Sequence, residues 1–164
     1  VSAEDVVQEF KSSLKIIVND GRCKIGLEST VIDLTSKPKI LRPGLIGPAA
    51  ISKILSKKIR VEHDTKIIKA PGMLKRHYSP GIPIKLNQTK SKSNEAFIVF
   101  GKKYKRKKNI FNLSYKSSLN EAAKNLYRIL RLIKNKNYKI INVCSIPNTG
   151  IGLAINDRLN RAAK

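Results

Sequence analysis

The stretch Ser118-Leu-Asn-Glu-Ala-Ala-Lys-Asn-Leu-Tyr-Arg-Ile-Leu-Arg-Leu-Ile133, with Lys139-Ile-Ile-Asn-Val-Cys-Ser145 behind it, decides the fold class. Ser118 and Glu121 stand at capping-box spacing, so a helix opens there. Leu119, Ala122, Ala123, Leu126, Ile129, Leu130 and Ile133 then recur every three or four residues, the period of a helix with one buried face. Residues 139–145 have the composition of a short buried strand. Upstream, Phe97-Ile-Val-Phe100 marks a strand over 96–100, and 84–86 is another. Downstream, the turn Pro147-Asn-Thr-Gly150 leads into a closing helix over 153–163. Strands alternating with helices predict a parallel sheet with covering helices.

Working toward the N-terminus, residues 58–83 read as a linker. Pro71-Gly72, Pro80-Gly81 and Pro83 forbid a continuous helix and stiffen the path. Before it lie a helix over 49–55 and strands over 39–42, 26–34 and 14–18, the last two separated by the turn Asn19-Asp-Gly21. A first helix runs from Ser2 to about residue 13, with Asp5 at capping-box distance. The expected class is α/β: residues 1–57 belong to a twisted mixed α/β unit, 58–83 to a linker, and 84–164 to a small Rossmann-like parallel α/β domain.

Composition narrows the function classes. The chain has 164 residues, 41% of them hydrophobic and none Trp, so a packed core must come from Ile, Leu, Val and Ala. The formal net charge is +23, carried by 25 Lys and 9 Arg. Such a field attracts nucleic acid, nucleotides and anionic membrane. Residues 1–80 contribute +7 and residues 81–164 contribute +16, densest at Lys102-Lys-Tyr-Lys-Arg-Lys-Lys108. Compositional drift and selected RNA contact both account for it, since phosphate forks favour Arg over Lys. Cys23 and Cys144 fit no metal-ligand spacing and are expected as buried, reduced thiols. No apolar run approaches a membrane span and no signal peptide is visible, which points to the cytoplasm. The first residue is Val1 rather than Met, so an upstream boundary cut is expected.

Four segments could carry chemistry. In Gly26-Leu-Glu-Ser-Thr-Val-Ile-Asp-Leu34, strand alternation sends Ser29 and Thr30 to opposite faces. A wet edge strand and a hydroxyl pair at a ligand are both open. In Pro38-Lys-Ile-Leu-Arg-Pro-Gly44, Arg42 ends a strand and could fork onto phosphate or carboxylate, or make a surface ion pair. In Ala70-Pro-Gly-Met-Leu-Lys-Arg-His-Tyr-Ser-Pro80, the residues Lys75, Arg76, His77 and Tyr78 could stack on an adenine or pair with phosphate. A bare linker is the plainer alternative. Gly150-Ile-Gly152 lacks the third glycine of the dinucleotide fingerprint, so tight strand-to-helix packing is expected there.

Together these segments resemble the two-domain threonylcarbamoyl-adenylate synthases. The resemblance rests on Glu28-Ser-Thr-Val-Ile-Asp33, Ile40-Leu-Arg-Pro-Gly44, Ala70-Pro-Gly-Met73 and Arg76-His-Tyr-Ser-Pro80. In the second half it rests on Asn125-Leu-Tyr127, Gly150-Ile-Gly-Leu-Ala-Ile155 and Arg158-Leu-Asn-Arg-Ala-Ala163. It implies a C-terminal remnant of a catalytic domain, then linker and C-terminal domain. It implies condensation of L-threonine, bicarbonate and ATP, ATP arriving with Mg2+, to threonylcarbamoyl-adenylate and pyrophosphate. No covalently bound cofactor or catalytic nucleophile is implied. Partner transferase proteins would then modify a tRNA adenosine. Ser29 and Thr30 match positions lining the threonine and nucleotide pocket, and Arg42 the ATP-contacting arginine. Arg76, His77, Tyr78 and Ser79 match the linker that folds over the active-site mouth, so the linker is expected against Ser29, Thr30 and Arg42.

The family's upstream lysine-arginine and serine-x-asparagine motifs are not in this sequence, and Ile133 stands where an acidic residue is expected. The expectation is therefore a truncated or split enzyme, inactive alone and completed by a separate N-terminal half. The rival is a non-catalytic remnant that binds RNA, including double-stranded RNA, or regulates.

Overall fold

The computed structural model describes residues 1–62, 68–72, 74 and 78–164. In chain order these form helix α1 (Ala3–Phe10) with a 3-10 turn over Lys11–Ser13, strands β1 (Val31–Asp33) and β2 (Lys39–Arg42), and helix α2 (Pro48–Leu55). Then come strands β3 (Arg60–Val61), β4 (Ile84–Lys85), β5 (Ala96–Val99) and β6 (Ile110–Asn112), helix α3 (Leu119–Lys134), strand β7 (Ile141–Val143) and helix α4 (Gly152–Ala162). The strands make two sheets. One has the order β1-β2-β3, antiparallel then parallel. The other has the order β4-β7-β5-β6 and is parallel throughout. The mixed α/β class read from the sequence is the one observed.

Helix α3 follows its apolar period. Ser118 Oγ caps it by accepting the Glu121 amide at 3.3 Å. Its Ala122, Ala123, Leu126, Ile129, Leu130 and Ile133 are all buried. They pack with Ala96, Ile98, Ile141 and Val143 of the sheet and with Ala154, Ile155 and Leu159 of α4 in one core. The capping box of α1 also forms, through Ser2 Oγ and the Asp5 carboxylate, and Asp5 pairs with Arg131 of α3.

The other face of the parallel sheet is covered differently from the expectation. Strand alternation turns Phe97 and Val99 away from the helices, where they cluster with Cys144. A parallel sheet needs apolar cover on both faces. Here the cover is the β5–β6 connection itself: Phe100 and Tyr104 lie on that cluster, Tyr104 edge-on to Phe97 with centroids 5.5 Å apart. The lysines and arginine of 102–108 point outward from it and are exposed. Strand β6 was not expected, because three residues behind a basic loop carry too little pattern.

The first half departs further. Residues 14–18 form no strand, and Ile16 and Val18 are 83% and 87% exposed. Of the strand expected over 26–34, only β1 forms. Gly26, with φ +79, lies so close to α3 that a Cβ would come 2.6 Å from the Lys124 Cα. Backbone pressed onto a helix that way is not free to pair in a sheet. Strand β3 pairs in parallel with β2, and Ile59 beside it packs with Ile40 and Ile51. Cys144 is buried as expected, but Cys23 is exposed. No helix among the described residues is long and apolar enough to cross a membrane.

The Gly150-Ile-Gly152 turn is a packing device. A Cβ at Gly152 would fall 2.0 Å from the Pro147 carbonyl oxygen. Gly152→Ala is therefore expected to destabilise the chain by about 1–3 kcal/mol through overpacking, read from the urea midpoint at constant m-value. An unchanged midpoint would remove this reading of the turn.

Candidate functional site

Pairing of Val31 with Arg42 brings the end of β2 beside residues 28–30. Arg42 Nε donates to the Ser29 carbonyl at 3.1 Å, and Nη2 to Ser29 Oγ at 3.4 Å. The remaining arm reaches the linker, with Nη1 donating to the Pro71 carbonyl at 3.1 Å. Gly72 follows at φ +85, and a Cβ there would meet the Tyr78 hydroxyl at 2.6 Å and Arg42 Cδ at 3.1 Å. Only glycine fits between these two side chains. Ser29 is exposed and Arg42 half-buried. Thr30 is engaged elsewhere: its hydroxyl donates to the Ile46 carbonyl at 2.8 Å and fixes the turn after β2.

Tyr78 anchors the far end of the linker. It is half-buried, with φ +63, a region that a bulky side chain enters only when its surroundings hold it. Its ring stacks on Tyr127 of α3 at 5.6 Å and 27°. The Arg158 guanidinium of α4 lies 5.3 Å from the Tyr78 centroid. Arg158 is 1% exposed. Its Nε donates to Glu28 Oε2 at 3.0 Å and its Nη1 to Asp157 Oδ2 at 2.7 Å. Tyr127 donates to both Glu28 oxygens, at 2.9 and 3.1 Å. Asp157 also accepts from Arg161 Nε at 3.2 Å, and Arg161 Nη1 reaches the Leu74 carbonyl at 3.4 Å.

The electrostatics follow from burial and charge. Burial opposes ionisation of Glu28, but its own backbone amide, Arg158 and Tyr127 outweigh it and hold the carboxyl below its ordinary 4.5. Burial, then the Glu28 charge, push the Tyr127 phenol far above its usual range, so it stays a donor. Within the linker, Lys69 Nζ meets Asp33 Oδ2 at 3.0 Å. The Thr35 hydroxyl and amide, with Lys69, hold the Asp33 carboxyl well below the carboxylate range.

A cleft of about 560 Å³ opens beside this junction, lined by Glu28, Tyr78, Ser79, Pro80, Tyr127 and Arg131 among others. Ser79 is half-buried on its wall, with Oγ accepting the Gly81 amide at 3.3 Å. Ser29, Thr30 and Arg42 do not line it. Arg76 and His77 lie outside the described residues. Among the described residues there is no group of three His, Cys, Asp or Glu able to hold a metal. The structure thus joins Ser29, Arg42 and Tyr78 through Pro71-Gly72 and turns Thr30 away. The sequence reading assigned no role to Glu28, Tyr127, Asp157, Arg158 or Arg161. The one available signal was the spacing of Asp157 and Arg161, a helical ion-pair distance in a half with three acids.

Comparison with known proteins adds to this geometry. A family model described as Threonylcarbamoyl-AMP synthase, C-terminal domain, matches residues 46–164, and one described as Telomere recombination matches residues 1–44. The chain is similar to the Threonylcarbamoyl-AMP synthase of Pyrococcus abyssi, 30% identical over 181 residues, covering 99% of this chain and 53% of that protein. It is similarly 30% identical to that of Bacillus subtilis over 186 residues, covering 98% and 52%. For Schizosaccharomyces pombe the figures are 29% over 200 residues, covering 98% and 48%. The solved structure of P. abyssi Sua5 complexed with L-threonine superposes with a TM-score of 0.85 at 28% identity, over 99% of this chain and 53% of that one. A form of the same protein with an adjacent histidine and tyrosine both changed to alanine gives 0.83 at 28%, over 99% and 52%. The chain spans about half the length of the curated relatives it matches.

The lowered Glu28 carboxyl makes the junction sensitive to acid. A depressed folded-state value stabilises above the ordinary carboxyl value and is lost as pH falls through the folded one. The wild type should therefore exceed Glu28→Gln in stability by roughly 1 kcal/mol near neutrality. The gap should shrink as pH falls below the ordinary carboxyl value of 4.5 and the residue becomes neutral in both forms. Urea unfolding of both forms across that range checks it; a gap that widens on acidification would contradict the assignment.

Proposed function

Since the chain belongs to the threonylcarbamoyl-AMP synthase family, we propose that it serves the adenylyl transfer its relatives are named for. L-Threonine, bicarbonate and ATP condense to threonylcarbamoyl-adenylate, with pyrophosphate released, in the cytoplasm and for tRNA modification by downstream threonylcarbamoyl transferases. The observation that carries the reading is the junction at Arg42, where a strand-end guanidinium, a serine and a proline-stiffened linker converge. Threonine as substrate is supported by the P. abyssi relative, whose structure holds it. The same protein was altered at an adjacent His-Tyr pair, and this chain has one such pair, His77-Tyr78.

In this reading the chain's work is positioning and charge stabilisation around phosphates. A guanidinium has five N–H donors. Arg42 places three on protein acceptors, leaving two to point at an ATP phosphate oxygen. Ser29 orients substrate, Thr30 fixes the turn behind it, and Tyr78 and Ser79 with Arg76 and His77 exclude water from the mouth. Mg2+ is taken to arrive on the ATP phosphates, and no step is routed through it. We divide the chain as 1–57, 58–83 and 84–164 for the catalytic part, linker and C-terminal domain.

The assay is pyrophosphate release from ATP with threonine and bicarbonate present. It is run on this chain alone and with a polypeptide supplying the half of the relatives' length that this chain does not match. Turnover is expected only in the mixture, and Arg42→Ala should lower it by about 10²–10³-fold. Robust turnover by this chain alone, or an indifferent Arg42→Ala, would end the reading.

For tRNA, contact is assigned to the outward lysines of 102–108. Binding should be indifferent to sequence and steeply salt-dependent. Changing Lys102, Lys103 and Lys105 to Ser should reduce the log–log salt slope by about 2–3. A slope unchanged by these substitutions would move the contact elsewhere.

A further inference from the structure

We propose that Arg158 is a positioning residue, a buried latch in α4 that fixes the linker to the Ser29–Arg42 strand ends. The latch deepens the proposed function, on which its catalytic meaning rests; the contacts stand without it.

The contacts close a ring. Arg158 holds Glu28 at 3.0 Å, and Glu28 is joined through the chain to Ser29. Ser29 holds Arg42 by its carbonyl and hydroxyl, and Arg42 holds the Pro71 carbonyl. Gly72 follows, tight against both Arg42 and the Tyr78 hydroxyl. The Tyr78 ring returns to the Arg158 guanidinium at 5.3 Å. The ring thus joins the N-terminal strands, two points of the linker and the last helix. A second arm of α4 runs parallel to it, from Arg161 to the Leu74 carbonyl.

Stability alone does not account for this guanidinium. A buried ion pair is generally no better than apolar packing of the same volume. Arg158 is 1% exposed while its partner Glu28 is 34% exposed, so the desolvation falls on the arginine. Its Nη2 is buried with no hydrogen-bond partner among the described residues, and a half-satisfied buried cation is destabilising. What arginine supplies and an apolar residue does not is geometry. One flat cation lies over the Tyr78 ring and donates to Glu28 and Asp157 at once. Tyr78 is kept in a left-handed backbone conformation by these contacts. The Asp157-Arg158-x-x-Arg161 stretch of the C-terminal domain thereby acquires a task at a site in the other half.

The test is hydrogen exchange on the full chain, comparing wild type with Arg158→Met and Arg158→Lys. Arg158→Met should speed exchange about tenfold or more in peptides carrying Gly72 and residues 78–82. Peptides over 122–133 should keep their protection, a split that a merely structural role would not produce. Arg158→Lys, with charge but no fork or flat face, should fall between. Uniform loosening of linker and core together, or no change in the linker, overturns the latch. Should Arg158→Met fail to fold, Tyr78→Leu decides, because it leaves the Glu28–Arg158–Asp157 contacts in place. Faster exchange at Gly72 supports the latch, and an unchanged rate sinks it. Exchange split as expected in a chain that never supports pyrophosphate release would retain the latch and reject the function. Normal turnover with unchanged exchange would do the reverse.

Discussion

Four parallel strands cannot leave either face to water, and the way this sheet meets that constraint sets the rest of the molecule. The chain leaves β6, runs through α3 and enters the sheet again at β7, on the far side of β5. Helix α4 then packs beside α3 in the same core. With both helices on one face, Ala154, Ile155 and Leu159 take the sheet side of α4. Besides Gly152 and Ala162, its other buried positions go to Asp157, Arg158 and Arg161. Those charges need partners, and the partners come from the front of the chain: Glu28, the Tyr78 ring and the Leu74 carbonyl. The cover given to one sheet thus fixes where the other half docks.

The opposite face explains the charge distribution. Its cover is a connection of only ten residues, so a few apolar side chains must do what a helix would do elsewhere. Phe100 and Tyr104 go inward and the basic residues outward. The three carboxylates of residues 81–164 are engaged by partners other than the lysines of that loop. Glu95 accepts from Asn142, Glu121 from Ser114, and Asp157 from two arginines. The basic side chains of 102–108 therefore keep their field, with ring contacts of Lys103 to Tyr104 and Arg106 to Tyr115.

What could be read from the sequence was local and periodic. Helix α3, β5 and β7 declare themselves by apolar spacing, and the capping residues of α1 and α3 mark their starts. The strand at 39–42 was legible from its apolar pair and the Pro-Gly stop. What could not be read depends on distant neighbours. Residues 14–18 look like a strand but have none beside them among the described residues, and 26–30 is drawn onto α3 instead of into the sheet. Of the candidate site, the approach of Pro71-Gly72 to Arg42 follows the expectation from the stiffened linker. Thr30 differs because its hydroxyl finds a carbonyl 16 residues on. The Glu28–Arg158 contact has no local signature, since alternation and helical spacing say nothing about a partner 130 positions away.

That separation also sets a clock. A ribosome adds about 5–20 residues each second, so Glu28 is made on the order of ten seconds before Arg158. Through that interval the carboxylate has no guanidinium, and Tyr78 lacks the cation that its ring will face. The parallel sheet is late for the same reason, because β4 and β5 both pair with β7. Contacts of such long range make for slow folding. Assembly of the junction therefore waits on α4: a polypeptide that stops short of it lacks Arg158.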